Sequence, residues 1–190
     1  MIRRGLLATW TIAVLMTALL VVPQPARAGA ARWTSEGPYG LSITAMAVDP
    51  VDDDVVYAEA ANVGIVKSTD AGRTWTPTGF EPYLRVVIAV DAVDHDIVYV
   101  TDEQRFWASE DGGATWKVRF RRGLWPSRLA VDPALEGVLY AFDGSQLQQT
   151  TDGGFHWSPV VGEPCDSDVC YVGNQVAVDP SEPGTVIASV

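Results

Sequence analysis

The sequence has 190 residues, 47% hydrophobic and 19% charged, with 24 Asp plus Glu against 13 Lys plus Arg and a formal net charge of −11. So acidic a chain repels phosphate backbones and anionic headgroups, which excludes nucleic-acid and peripheral membrane binding as default functions. Its 2 histidines and 2 cysteines offer no spacing for a metal site or a nucleophilic relay, so neither a metal nor a cofactor is expected.

At the amino terminus Arg3 and Arg4 precede a largely apolar run over residues 6–22, followed by Pro23, Pro25 and the small-residue site Ala26-Arg27-Ala28. This order is that of a signal peptide over residues 1–28, cut after Ala28, which places the mature protein outside the cytoplasm as a secreted or periplasmic chain. A retained membrane anchor is the alternative reading; the run is slightly short for a span, and no stable membrane insertion is expected once it is removed. The paired arginines leave Sec and twin-arginine export both open. Removing 1–28 takes Arg3, Arg4 and Arg27 from the 13 basic residues, so 10 face 24 acidic ones and the net charge becomes −14.

Beyond residue 28 the chain keeps a beat. Trp33, Trp75, Trp116 and Trp157 are separated by 42, 41 and 41 residues. Ala-Val-Asp recurs at 47–49, 89–91, 130–132 and 177–179, with Pro50, Ala92, Pro133 and Pro180 next, and Tyr57, Tyr99, Tyr140 and Ile187 lie seven residues further on. Three markers in one register define a repeat of about 40 residues.

Each repeat reads as four short strands, at 43–48, 55–59, 64–68 and 75–78 in the first. The last two are joined by Ser68-Thr69-Asp70-Ala71-Gly72-Arg73-Thr74-Trp75, which returns at 109–116 and 150–157. A hydroxyl ends one strand, Asp accepts from nearby backbone N–H groups, Gly72, Gly113 and Gly154 supply positive φ, and the indole anchors the returning strand. A four-stranded unit cannot bury both faces unless neighbours stack on it. The predicted fold is therefore all-β: a β-propeller with four-stranded antiparallel blades, present as a partial ring. Residues 29–190 then hold an orphan outer strand at 33–36, blades at about 42–79, 84–120 and 127–161, and an incomplete blade at 174–190. The remaining blades are expected from C-terminal sequence beyond Val190 or from an assembly of several chains.

Ser68-x-Asp70-x-Gly72-x-Thr74-Trp75 and its echoes resemble the Asp-box, or bacterial neuraminidase repeat. Ala-Val-Asp-Pro followed by Val-Val-Tyr-Ala is similar to the wider group of such propellers, which includes sialidases, xyloglucanase-type endoglucanases, the sortilin ectodomain and photosystem II assembly factors. The resemblance implies a structural role for Ser68, Asp70, Gly72, Thr74 and Trp75, for Ser109, Asp111, Gly113, Thr115 and Trp116, and for Thr150, Asp152, Gly154 and Trp157. The third copy departs at Thr150 and at His156, where the pattern has Ser and Thr. It also implies that ligands bind on the face away from the boxes. The Phe/Tyr-Arg-Ile-Pro segment of the sialidases does not occur. Where the xyloglucanase type carries a catalytic Asp this chain has Ala60-Ala61-Asn62-Val63-Gly64, so no catalytic residue is assigned.

The face opposite the boxes is built from the connections between second and third strands and between successive repeats. It gathers Glu59, Asn62, Tyr83, Asp102, Glu103, Arg122, Trp125, Asp143, Asp168 and Tyr171, carboxylates interleaved with rings that suit a protein or carbohydrate ligand. Surface loops of an acidic protein hold carboxylates in any case. Cys165 and Cys170, in an exported chain, are read as a local disulfide, with two unpaired thiols as the alternative. The function expected is an exported binding or assembly scaffold; the alternative is the amino-terminal part of a secreted glycoside hydrolase.

Overall fold

A computed structural model describes residues 42–83, 86–102, 104–120, 128–142, 147–160, 175–182 and 184–189. All of them lie in one unit of the chain, Ser35–Val190. The first sheet consists of β1 (Ile43–Val48), β2 (Val56–Ala60), β3 (Gly64–Ser68) and β4 (Thr76–Pro77) in that order. The second repeats it with β5 (Val87–Val90), β6 (Val98–Thr101), β7 (Phe106–Ser109) and β8 (Lys117–Phe120), and the third with β9 (Arg128–Val131), β10 (Leu139–Phe142), β11 (Leu147–Thr150) and β12 (Ser158–Pro159). A two-stranded sheet, β13 (Gln175–Val178) and β14 (Val186–Ser189), follows. Every pairing is antiparallel, and β1, β5, β9 and β13 pack side by side in sequence.

This is a propeller stack: each sheet is a blade, and the first strand of each lies beside the first strand of the next. The second strands show why β-branched and aromatic residues are needed. Val98, Tyr99, Val100 and Thr101 are all buried, because the two faces of β6 meet different neighbouring blades. The outermost strands β4 and β12 are short and exposed, and Pro77 and Pro159, which lack an N–H to offer a further strand, stand in them. The outer strand of the first blade is shorter than the pattern predicts because Trp75 belongs to the turn. One more ladder bond, Thr78 N–H to Ile65 C=O at 2.9 Å, extends it.

The core lies between blades. At the first seam Tyr57 and Ile65 meet Ile88, Val90, Val98 and Val100, and Phe80 stacks on Trp116 with ring centroids 4.6 Å apart. At the second seam Tyr99, Phe106 and Ala108 meet Leu139, and the Trp157 indole stands edge-on to Phe106 at 5.3 Å. Each such side chain removed from water stabilises by about 2 kcal/mol. The tryptophan of a given blade thus serves the seam with the preceding blade. Consistent with that, Met46 and Val48 in β1 are 57% and 51% exposed, while Ile88 and Val90, 42 residues on and packed against the first blade, are 7% and 6% exposed.

Candidate functional site

The three repeated turns have one wiring. Ser68 Oγ donates to Asp70 Oδ1 at 2.8 Å and accepts from Gly72 N at 2.8 Å. Asp70 in turn accepts from Thr74 N at 2.8 Å and Thr74 Oγ1 at 2.7 Å, and the Trp75 indole N–H closes the loop on Gly72 C=O at 2.9 Å. Ser109, Asp111, Gly113, Thr115 and Trp116 repeat these bonds. In the third turn Thr150 Oγ1 does the serine's work, donating to Asp152 at 2.8 Å and accepting from Gly154 N at 2.9 Å. His156 replaces threonine, with its N–H on Asp152 Oδ1 at 3.0 Å and its ring Nδ1 2.6 Å from Oδ2. Both departures from the sequence pattern preserve the geometry.

The donors hold these carboxylates charged. The hydroxyl and then the N–H of Thr74 pull Asp70 down to about 2, and those of Thr115 do the same for Asp111. At Asp152 partial burial works the other way, and the His156 backbone and ring overcome it to reach about 2. With their donors inside the turn, Asp70, Asp111 and Asp152 work as clasps.

These turns stand on the same side of the blades as the turns between first and second strands, to which they bond through the backbone: Ala71 N to Asp54 O at 2.8 Å, Gly112 N to Asp96 O at 2.8 Å and Gly153 N to Gly137 O at 2.9 Å. They also receive the neighbouring blade. Tyr57 Oη at 3.0 Å and Lys67 Nζ at 2.9 Å both donate to Gly112 C=O, and Arg119 Nη1 donates to Gly153 C=O at 2.7 Å. A cavity of about 370 Å³ opens here at the first seam, lined by residues that include Lys67, Thr69, Thr76, Pro77, Thr78 and Asp111.

On the opposite side, Glu59, Asn62, Tyr83 and Asp102 are described; Glu103, Arg122, Trp125, Asp143, Asp168 and Tyr171 lie outside the described residues, as do Cys165 and Cys170 and the orphan strand at Trp33. Tyr83 and Asp102 are brought together, the Tyr83 N–H lying 3.3 Å from Asp102 Oδ2. Asp102 is buried and also accepts from Gln104 N and Arg105 N at 2.8 Å each and from the Trp107 indole at 3.4 Å, so its carboxylate locks the turn. Asn62 is exposed with φ of 66°, the left-handed turn conformation that asparagine tolerates. Glu59 accepts the Thr44 hydroxyl, and its burial raises its pKa. Tyr83 is 67% exposed.

One set of structural residues was legible only as rhythm. The aspartates of Ala-Val-Asp cap their own turns and also cross the seams: Asp91 Oδ2 accepts from Gly137 N at 2.9 Å, and Asp132 Oδ2 accepts from Gly184 N at 2.8 Å. Asp49 Oδ2 instead meets His95 Nδ1 at 3.1 Å. The available signal was an acidic residue recurring right after a buried strand, where a charge needs donors. Among the described residues, no group of three or more His, Cys, Asp or Glu could hold a metal ion, and no helix is long and apolar enough to cross a membrane.

Stacked four-stranded antiparallel blades define this as a β-propeller protein. No protein-family model matches the sequence and no curated protein matches it, but solved structures do. The GH74 xyloglucanase from Xanthomonas campestris is similar with a TM-score of 0.60 at 24% identity, over 75% of this chain and 26% of the other. A chain of a nidogen/laminin complex gives 0.54 at 21% identity, over 77% and 64%, and YCF48 bound to D1 peptide gives 0.53 at 16%, over 76% and 48%. At these identities the likeness is one of fold, and the chain spans less than two thirds of each of these structures.

Proposed function

We propose that this chain is the blade-bearing part of an exported Asp-box propeller, freed of residues 1–28 after Ala28, that acts as a binding or assembly scaffold for a protein or carbohydrate. The observation that carries the reading is how the described carboxylates are used: Asp70, Asp111 and Asp152 clasp turns, and Asp102 accepts from four donors, Gln104 and Arg105 in its own connection and Tyr83 and Trp107 on either side. Saturated acceptors hold a scaffold rigid and leave exposed groups such as Tyr83 to meet a ligand. Propellers of this shape include one bound to a peptide and one in a protein complex, which supports the class of role.

One observation favours a second reading. Glu59 is a carboxyl whose burial makes it hold its proton more tightly, as a general acid of a glycoside hydrolase must. A panel of β-glucans and sialosides incubated with full-length protein separates the two. The scaffold reading expects no turnover on any sugar and binding that is weakened by Tyr83→Ala. Turnover abolished by Glu59→Gln would replace it with the hydrolase.

A further inference from the structure

The cavity at the first seam lies on the box side, away from the proposed ligand face, and exists because of two small residues. Thr76 and Thr78 stand 41 residues before Lys117 and Arg119, at the matching places beside the outer strand. At the second seam the long Arg119 side chain runs across to Gly153 C=O and lies over the Phe155 ring at 4.8 Å. At the first seam the threonines leave that space open, and Lys67, reaching in from β3, supplies the cation that holds Gly112 C=O.

The lining offers hydrogen-bonding groups at Lys67, Thr69 and Thr76. The Lys67 ammonium carries three donors; one goes to Gly112 C=O and a second to the Tyr57 hydroxyl oxygen beside it, which leaves one. Asp111 accepts from Ser109 Oγ, Thr115 N and Thr115 Oγ1, with the Ala114 N–H beside them, so its carboxylate is committed to the turn and lends the groove only its charge. Thr69 and Thr76 are exposed, and their hydroxyls make no hydrogen bond among the described residues. Pro77, Ala114 and the threonine methyls give the apolar remainder.

We infer that this groove is a second binding site, for a neutral sugar. Adjacent hydroxyls on a sugar ring each donate and accept, which matches one spare donor on Lys67 and the two threonine hydroxyls that do both, while the C–H face of the ring rests on Pro77. The single lysine is offset by Asp111 in a strongly acidic chain, so an anionic ligand gains nothing over a neutral one. A peptide adding a strand to β4 meets Pro77, which has no N–H to give. The cavity, at about 370 Å³, is the size of small-ligand sites.

The test is an amide NMR titration of the folded full chain with D-glucose, with D-glucuronate as the charged counterpart. The inference expects saturable shifts centred on Thr69, Thr76, Gly112 and Gly113. Thr76→Lys, which installs the second blade's residue at an exposed position, should weaken binding at least about tenfold, and Thr69→Val about fivefold, the effect of one hydrogen bond. Absence of saturable shifts, shifts confined to the Tyr83 and Asp102 side, or indifference to Thr76→Lys would overturn the site. Tighter binding of glucuronate than of glucose would overturn the neutral class. The scaffold role of the opposite face is read separately, by the effect of Tyr83→Ala, which leaves this groove intact.

Discussion

The two seams between the full blades solve one problem with different atoms. At the second seam, the first strand's aspartate, Asp91, is wholly buried and accepts from Gly137 N–H and Tyr99 O–H at 2.9 Å each, while among the described residues Arg119 alone clamps the next box carbonyl. At the first seam the hydroxyl of Tyr57 turns the other way, to Gly112 C=O, Lys67 joins it there, and Asp49 takes the half-exposed imidazole of His95. The repeat conserves the demand for a donor at each carboxylate and carbonyl, and leaves the supplier free. Buried polar groups need partners, whereas several side chains can reach the same atom.

The largest test of this difference is removal of the two aspartates. Asp91→Ala strands four donors, two of them across buried structure, and should cost about 4 kcal/mol in denaturant unfolding; Asp49→Ala, whose lost seam partner reaches water, should cost about 2. Equal losses would break the comparison. The glycines come next. A Cβ on Gly154 would sit 2.2 Å from Phe106 Cε1 on a backbone with φ of +97°, whereas on Gly72 it would meet nothing nearer than Trp75 Cζ2 at 3.4 Å. Gly154→Ala should therefore cost about 3 kcal/mol and Gly72→Ala about 1, as read from urea midpoints. Smaller effects belong to the clamps: Arg119→Met at about 2 kcal/mol and Lys67→Met, backed by Tyr57, at about 1.

Acid should affect the first two repeated turns alike. Asp70 and Asp111 have folded values of about 2, below the ordinary carboxylate value near 3.8. Their contribution is thus complete above pH of about 4 and drains away as pH falls toward 2. Urea midpoints followed down through this window should decline, and Asp70→Asn and Asp111→Asn should each flatten the decline by a similar amount. A response confined to one of the two would show that the boxes are not equivalent.

The blade strands were legible because their residues alternate between fixed neighbours and because Gly, Asp and Trp recur in phase. So was the turn chemistry, which is local: Ser68, Asp70 and Thr74 find one another within a few residues. The candidate face was less so. Asp102 reads as an exposed acid in the sequence, yet donors from Tyr83 and Trp107, brought from either side, make it a lock. Thr150 and His156 look like defects in the pattern and are working substitutes.

By itself the sequence determined the β-propeller class, the repeat length and the wiring of each turn, since these depend on contacts between residues near in the chain and on the number of residues a four-stranded blade consumes. The tertiary structure decided which blade each side chain serves. Trp116 packs with the blade before its own, Lys67 and Arg119 reach the next box from different strands, and a groove opens where Thr76 and Thr78 are too short to cross. Such choices turn on reach and burial between surfaces about 40 residues apart, and periodicity carries no record of either.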